Sequence, residues 1–177
     1  QKLIRFPASI GADMWQALKP VLAKDATLQW GDTLDNWLSS KQVGRVAIIG
    51  ALEPDVLAWL AANKNIVPKT AEISISEGLI RGTKQARHNN KSMDGLTEME
   101  WRQLPEVINN AEQVLFDKQS GKILYILNSI DAGIKLSIEF DYFKKGNPTT
   151  NQIVSGFRQS TETIAEKIRG GIYIVIK

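Results

Sequence analysis

The sequence predicts an α+β protein in which helices come first and a mostly antiparallel sheet of four or five strands follows, packed on the helices through one face. Three observations predict it. Residues 134–142 alternate, with Ile134, Leu136, Ile138, Phe140 and Tyr142 apolar and Lys135, Ser137, Glu139 and Asp141 polar between them, which is the period of a half-buried strand. The turn residues Lys144, Lys145, Gly146, Asn147 and Pro148 then lead into 151–160 as a returning strand, so the two form a long hairpin with a wet, polar side. Earlier in the chain Met14, Trp15, Leu18 and Leu22 recur at helical spacing instead.

In chain order, 13–24 reads as an amphipathic helix that Pro20 interrupts or ends, and 32–40 as a second with Trp37 inward. Residues 45–50 are a short apolar strand, and Glu53-Pro54-Asp55 opens a helix carrying Val56, Leu57, Trp59 and Leu60. Residues 70–76 alternate as a strand, and Ser76 reads as the cap of a helix over 77–88. Thr97 and Glu100 make a capping-box pair before Trp101, Leu104, Val107 and Ile108, a helix that Asn109-Asn110 ends. Residues 114–117 and 123–127 flank Lys118-Gln119-Ser120-Gly121 as a first hairpin. Residues 161–169 form a helix with Ile164, Ala165 and Ile168 inward, Gly170-Gly171 stops it, and 172–176 is a buried strand. The tryptophans at 15, 30, 37, 59 and 101 read as core anchors.

Composition narrows the function. With 43% apolar and 23% charged residues the chain is globular, and it contains no cysteine, which removes disulfide frameworks, thiolate zinc sites and cysteine nucleophiles. No run reaches the ~18 apolar residues of a membrane span, and residues 1–6 lack the regions of a signal peptide. A chain opening on Gln reads as a processed or cloned fragment. No Gly-rich phosphate loop, nucleophile elbow or His-x-x-x-His pair occurs, which argues against nucleotide-cofactor enzymes, α/β hydrolases and zinc hydrolases and leaves no cofactor implied. The net charge of +3 is modest, but its distribution is uneven. Residues 78–93 carry Arg81, Lys84, Arg87, His88 and Lys91 with no carboxylate, a pattern that fits an anion-binding patch as well as a solvated helix face. On the helix over 77–88, Arg81, Lys84 and His88 are three and four residues apart and share a side.

The strand-to-helix start Ile-Ser-Ile-Ser-Glu at 73–77 with its basic helix, the run LTEMEWRQLPEVINNAEQVLFD at 96–117, KILYIL at 122–127 and NQIVSGFRQS at 151–160 resemble the nuclease-like domains at the C-termini of Mu-type phage minor head and head-morphogenesis proteins. Those belong to a superfamily with barnase, EndoU, colicin ribonuclease and RelE-like toxins. The resemblance covers about 51–177, and its most specific piece is Trp101-Arg102-Gln103-Leu104-Pro105-Glu106 leading into Val114-Leu115-Phe116-Asp117. It implies a barnase-EndoU-colicin-RelE-like α+β domain over 51–177 behind a helical segment over 1–50. It further implies residence in a virion or the bacterial cytoplasm, RNA as substrate, an immunity protein or virion proteins as partners, and no membrane. Members carry a histidine and basic residues on the helix after a Leu-Ser-Asp-like start. Arg81 and Lys84 fall near those places, whereas His88 comes about three turns in.

Metal-independent RNA cleavage, the activity this resemblance implies, needs a base for the 2′-hydroxyl, cations for the phosphorane charge and an acid for the leaving oxygen. His88 is the natural acid or base by its ordinary pKa. Arg81, Lys84, Lys135 and Arg158 are the candidates to face the phosphate, Glu139 or Asp141 to act as carboxylate base, and Ser155, Ser160 or Thr161 to orient the phosphate. Gly156 beside Arg158 suits a close backbone approach. Each has a plainer reading: a helix-terminal cation for His88 and the wet side of a strand for Glu139 and Asp141. Two functions therefore stand at this point, a ribonuclease-like toxin module and a non-catalytic structural or interaction domain of a head protein.

Overall fold

The computed structural model describes residues 26, 28–81, 95–127 and 133–177. The expected helix over 13–24, most of the basic helix beyond Arg81 and the turn before Gly133 lie outside them.

Helix α1 covers residues 28–39, and its spacing puts Trp30, Leu34 and Trp37 on one buried side. The indoles of Trp30 and Trp37 meet edge to face with centroids 5.3 Å apart, and Trp30 Nε1 donates to the carbonyl of Trp101 at 2.8 Å. Strand β1 (Val46–Ala51) follows, then α2 (Pro54–Lys64) with proline in its first turn and Asn65 closing it in the left-handed region at φ 54°. Strand β2 (Glu72–Ser76) passes directly into the short α3 (Glu77–Arg81). Helices α4 (Glu98–Arg102) and α5 (Leu104–Asn109) come next. The single helix expected there is two, because Pro105 lacks the N–H that a continuous helix needs and instead starts α5. Four antiparallel strands follow as a meander, β3 (Gln113–Asp117), β4 (Lys122–Leu127), β5 (Gly133–Tyr142) and β6 (Thr150–Gln159). Helix α6 (Thr161–Arg169) and β7 (Tyr173–Val175) end the chain.

The α+β class holds, but the sheet is larger and more mixed than expected: seven strands in the order β1-β2-β6-β5-β4-β3-β7, with β2 and β6 parallel. Strands β1 and β2 extend the meander at one end and β7 at the other. The parallel junction is pinned from within, since Asn151 Nδ2 donates to the carbonyls of Thr70 and Glu72 and Ser74 Oγ lies 2.6 Å from Thr150 Oγ1. The final strand, expected to be buried, is an edge strand beside β3 with Val175 46% exposed.

The larger core lies between one sheet face and the helices: Ile73, Ile75, Tyr125, Leu136, Ile138 and Ile153 meet Trp30, Trp37, Leu60, Trp101 and Leu104. The second face is not uniformly wet, as had been expected. Leu115, Leu124 and Ile126 form a smaller core there with Ile164 of α6 and Tyr173 of β7. With α6 across it, β5 is buried on both faces from Gly133 to Ile138.

Candidate functional site

The polar side of β5 sets the frame. Lys135, Ser137 and Glu139 share a face by the two-residue period of the strand, opposite Phe157, Ser155 and Gln152 of β6. Lys135 and Ser137 are buried, and only Glu139 is exposed. The cation expected to meet a phosphate on an open surface is therefore packed under α6. Its Nζ lies 4.4 Å from the centre of the Phe157 ring and 3.5 Å from the hydroxyl of Tyr173. Lys167 of α6 approaches the same hydroxyl at 3.3 Å and the Tyr173 ring at 5.1 Å.

Arg158 stands on the other face. It is the cross-strand partner of Ile134, and its guanidinium is taken by Glu100, with Nε 3.3 Å from Oε2 and the second nitrogen on Oε1. Glu100 is the third residue of α4, where the expected capping box is complete: its backbone N–H donates to Thr97 Oγ1 at 3.2 Å and its carboxylate accepts from Thr97 N at 3.0 Å. One carboxylate thus caps a helix and clamps it to β6. The pair is partly exposed, so Arg158→Ala is expected to cost no more than about 1 kcal/mol, read as a small fall in chemical-denaturation midpoint. The close approach at Gly156 is made by the Trp101 indole. A Cβ on residue 156 would sit 2.9 Å from Trp101 Cη2 and 3.2 Å from Leu136 Cδ2, so Gly156→Ala is expected to overpack the core by about 1–3 kcal/mol.

Arg81 works within the protein. It donates to the carbonyls of Trp37 and Ser40, the latter at 2.7 Å, which closes the C-terminal end of α1. It also lies 3.3 Å from Glu77 Oε2. Glu77, with a fully buried side chain, is the centre of this cluster. Its Oε1 accepts the backbone N–H groups of Val43 and Gly44 at 3.0 Å, and its Oε2 pairs with Arg45 at 2.7 Å. The Arg45 side chain, helped by the N–H groups of Val43 and Arg45 and opposed by burial, holds this carboxyl down from the usual 4.5 to about 2.

Ser160 is the N-cap of α6, accepting from Thr163 N at 3.2 Å, and Thr161 is the exposed first residue of that helix. Ser155 is buried opposite Ser137. Asp141 sits at φ 48° and accepts from Lys69 N at 2.9 Å. Lys84 and His88 lie outside the described residues. Among the described candidates, Lys135 and Glu139 share one face, Arg158 is on the other, and Arg81 is beside α1.

Away from this face, a cavity of about 80 Å³ is lined by Glu53, Ile108, Asn109, Ala111, Val114, Tyr125 and Lys177. The Tyr125 hydroxyl is buried without a hydrogen-bond partner. Burial, with the nearby carboxylates of Glu53 and Asp55, pushes its pKa far above the ordinary value. Lys177 and Glu53 are already paired at its rim. Among the described residues no cluster of three or more His, Asp or Glu side chains is arranged to hold a metal, and no helix is long and apolar enough to cross a membrane.

Sequence reasoning missed Lys167, Tyr173 and Phe157 at this face and Glu77 and Glu100 as partners of the arginines. The capping-box spacing did flag Glu100, and the position of Lys167 three residues after the inward Ile164 is the only local signal that it lies near the sheet. No family model matches the chain, and no curated protein or solved structure matches it either.

Proposed function

We propose that this chain is a non-catalytic interaction domain of a phage minor head protein, one that keeps a barnase-EndoU-colicin-RelE-like layout and uses it for binding within the virion or the infected cell. The antiparallel meander β3–β6, with helices α4 and α5 against one face, supports the finer fold reading. The observation that carries the function is the separation of the charged groups: Arg158 is on the opposite sheet face from Lys135 and Glu139 and is held by Glu100. General acid-base cleavage needs its groups within hydrogen-bond reach of one phosphodiester, and these two faces do not share one.

The alternative, a metal-independent ribonuclease with His88 as acid or base and Arg81, Lys84 and Lys135 on the phosphate, draws its support from the carboxylate-free run over 78–93. Labelled RNA incubated with the protein, with and without a chelator, decides between them. Full-length RNA is expected at high protein concentration in both conditions. Product that survives chelation and disappears in both His88→Ala and Arg158→Ala would establish the ribonuclease instead.

A further inference from the structure

We infer that the outer edge of β1 pairs antiparallel with the β1 edge of a second copy of this chain, so that the two sheets run on as one. The inference stands whether or not the chain cleaves RNA, because no residue of β1 is among the cleavage candidates.

Strand β1 ends the sheet, with β2 on one side of it and, among the described residues, no strand on the other. Its hydrogen bonds show which backbone groups are spare. The Glu77 N–H donates to the Arg45 carbonyl at 2.8 Å, and along an antiparallel pair such bonded residues alternate with unbonded ones. Arg45 and Ala47 therefore turn their backbone groups to β2, whereas Val46 and Ile48, opposite Ser76 and Ser74, turn theirs outward. Beyond the bulge the Leu52 N–H donates to the Ala71 carbonyl at 2.7 Å, so Ala51 also turns outward. Among the described residues no backbone hydrogen bond reaches these outward groups.

A row of open N–H and C=O groups is a template for another strand, and sheets usually blunt it with a short edge, lysine, proline or an inward charge. The far edge has such protection: β7 is three residues long and Lys177 follows it closely. Strand β1 is six residues long, and 46–52 contains neither a charged residue nor proline. Its bulge leaves the register regular from Val46 to Ile48. Ile49 is in the larger core with Ala47 and Ala51 packed against it, while Val46 and Ile48 are only partly buried and Val43, just before the strand, is 68% exposed. A strand laid along this edge covers apolar surface as well as the open backbone groups.

The edge is complementary to itself. With an antiparallel copy related by a two-fold axis at Ala47, Val46 of one chain lies opposite Ile48 of the other, and their outward groups exchange hydrogen bonds on both sides of the axis. Two such strands come closest at the unbonded pair between, where alanine meets alanine. No charge within 46–52 meets its like.

The test measures the mass of the full chain by sedimentation equilibrium across a dilution series, with amide hydrogen exchange at each concentration. The mass of two chains is expected at high concentration, falling to that of one on dilution. The Val46 and Ile48 amides should be protected in the dimer and exchange freely in the monomer, while the Ala47 amide, turned to β2, stays protected in both. Val46→Pro removes an N–H that β2 does not use, at the first residue of an edge strand, where proline is tolerated. By symmetry it deletes a bond on each side of the axis, so the dissociation constant should rise at least about tenfold. Ile48→Lys, which puts a charge on the edge, should act in the same direction and decides the matter if Val46→Pro lacks the native circular dichroism. A one-chain mass at every concentration overturns the pairing: freely exchanging amides would then leave the edge to a strand of another protein, and protected ones would show it covered within this chain. A dimer as tight in Ile48→Lys as in the native chain overturns it too, since the contact would lie elsewhere.

Discussion

Glu77→Ala is expected to destabilise the fold by about 3–5 kcal/mol, the range for removing one partner from a buried ionic cluster. The side chain is fully buried and holds three parts of the chain: the segment Val43 to Arg45 through backbone N–H groups, Arg45 through a direct pair, and Arg81, which in turn closes α1. Without the carboxylate, two guanidinium groups and several N–H groups lose their acceptor at once. The pH dependence follows from the depressed pKa. Folding holds this proton off down to about 2, whereas the unfolded chain takes it up near 4.5. The contribution is therefore fully present above about pH 4.5 and is lost as the pH falls through that value toward 2. Denaturation curves of the native chain and of Glu77→Gln at a series of pH values check this: the gap between them is expected to narrow across that window and to be constant above it. A gap that does not change with acid would place the buried charge elsewhere.

Trp101→Ala is expected to cost a similar amount, about 3–5 kcal/mol. The indole is 3% exposed and fills the space that Gly156 leaves open against β6. The loss therefore combines a large cavity with weaker contact between α4 and β6. Coupling gives the prediction a sharper form. Gly156→Ala is destabilising only because its Cβ meets Trp101 and Leu136, so it should become much less so when Trp101 is already alanine. A double-mutant cycle measured by chemical denaturation reads this coupling, and additive effects would show that the contact is not tight.

Much of the framework could be read from local pattern. The capping box at Thr97 and Glu100, the hairpin around Ser120-Gly121, the strand over 133–142 and the helix closed by Gly170 depend on neighbours a few residues apart. What the pattern could not carry was which face each strand residue takes once the pairing slips. Strand β6 contains an extra residue against β5: Ser137 pairs with Ser155, but Ile138 pairs with Ile153. A bulge of this kind reverses the alternation on one side of it. Ile153 faces the larger core, Phe157 therefore turns to Lys135, and Arg158 turns to Trp101 and Glu100. Strict alternation from Ile153 would have put Phe157 inside and Arg158 on the wet side, beside Glu139. A second irregularity lies at Asp141, where β5 has the extra residue and the backbone enters the left-handed region. The cover on the polar face was equally out of reach. Alternation shows that Lys135 and Ser137 share a side, and it cannot show that α6, which begins only after the whole of β6, comes back across that side. Arg158 was misplaced for a related reason: only tertiary structure brings it and Glu100 of α4 together across 58 residues, whereas the carboxylate beside Arg81 is Glu77, four residues earlier on α3.

The separation of charges across two sheet faces is tested most directly by an RNA gel. A 5′-labelled RNA held with excess protein in chelator is predicted to run at its original length after prolonged incubation. Shortened bands that vanish with His88→Ala and with Arg158→Ala would mean that these side chains do act on one phosphodiester, and would contradict a non-catalytic role for the domain.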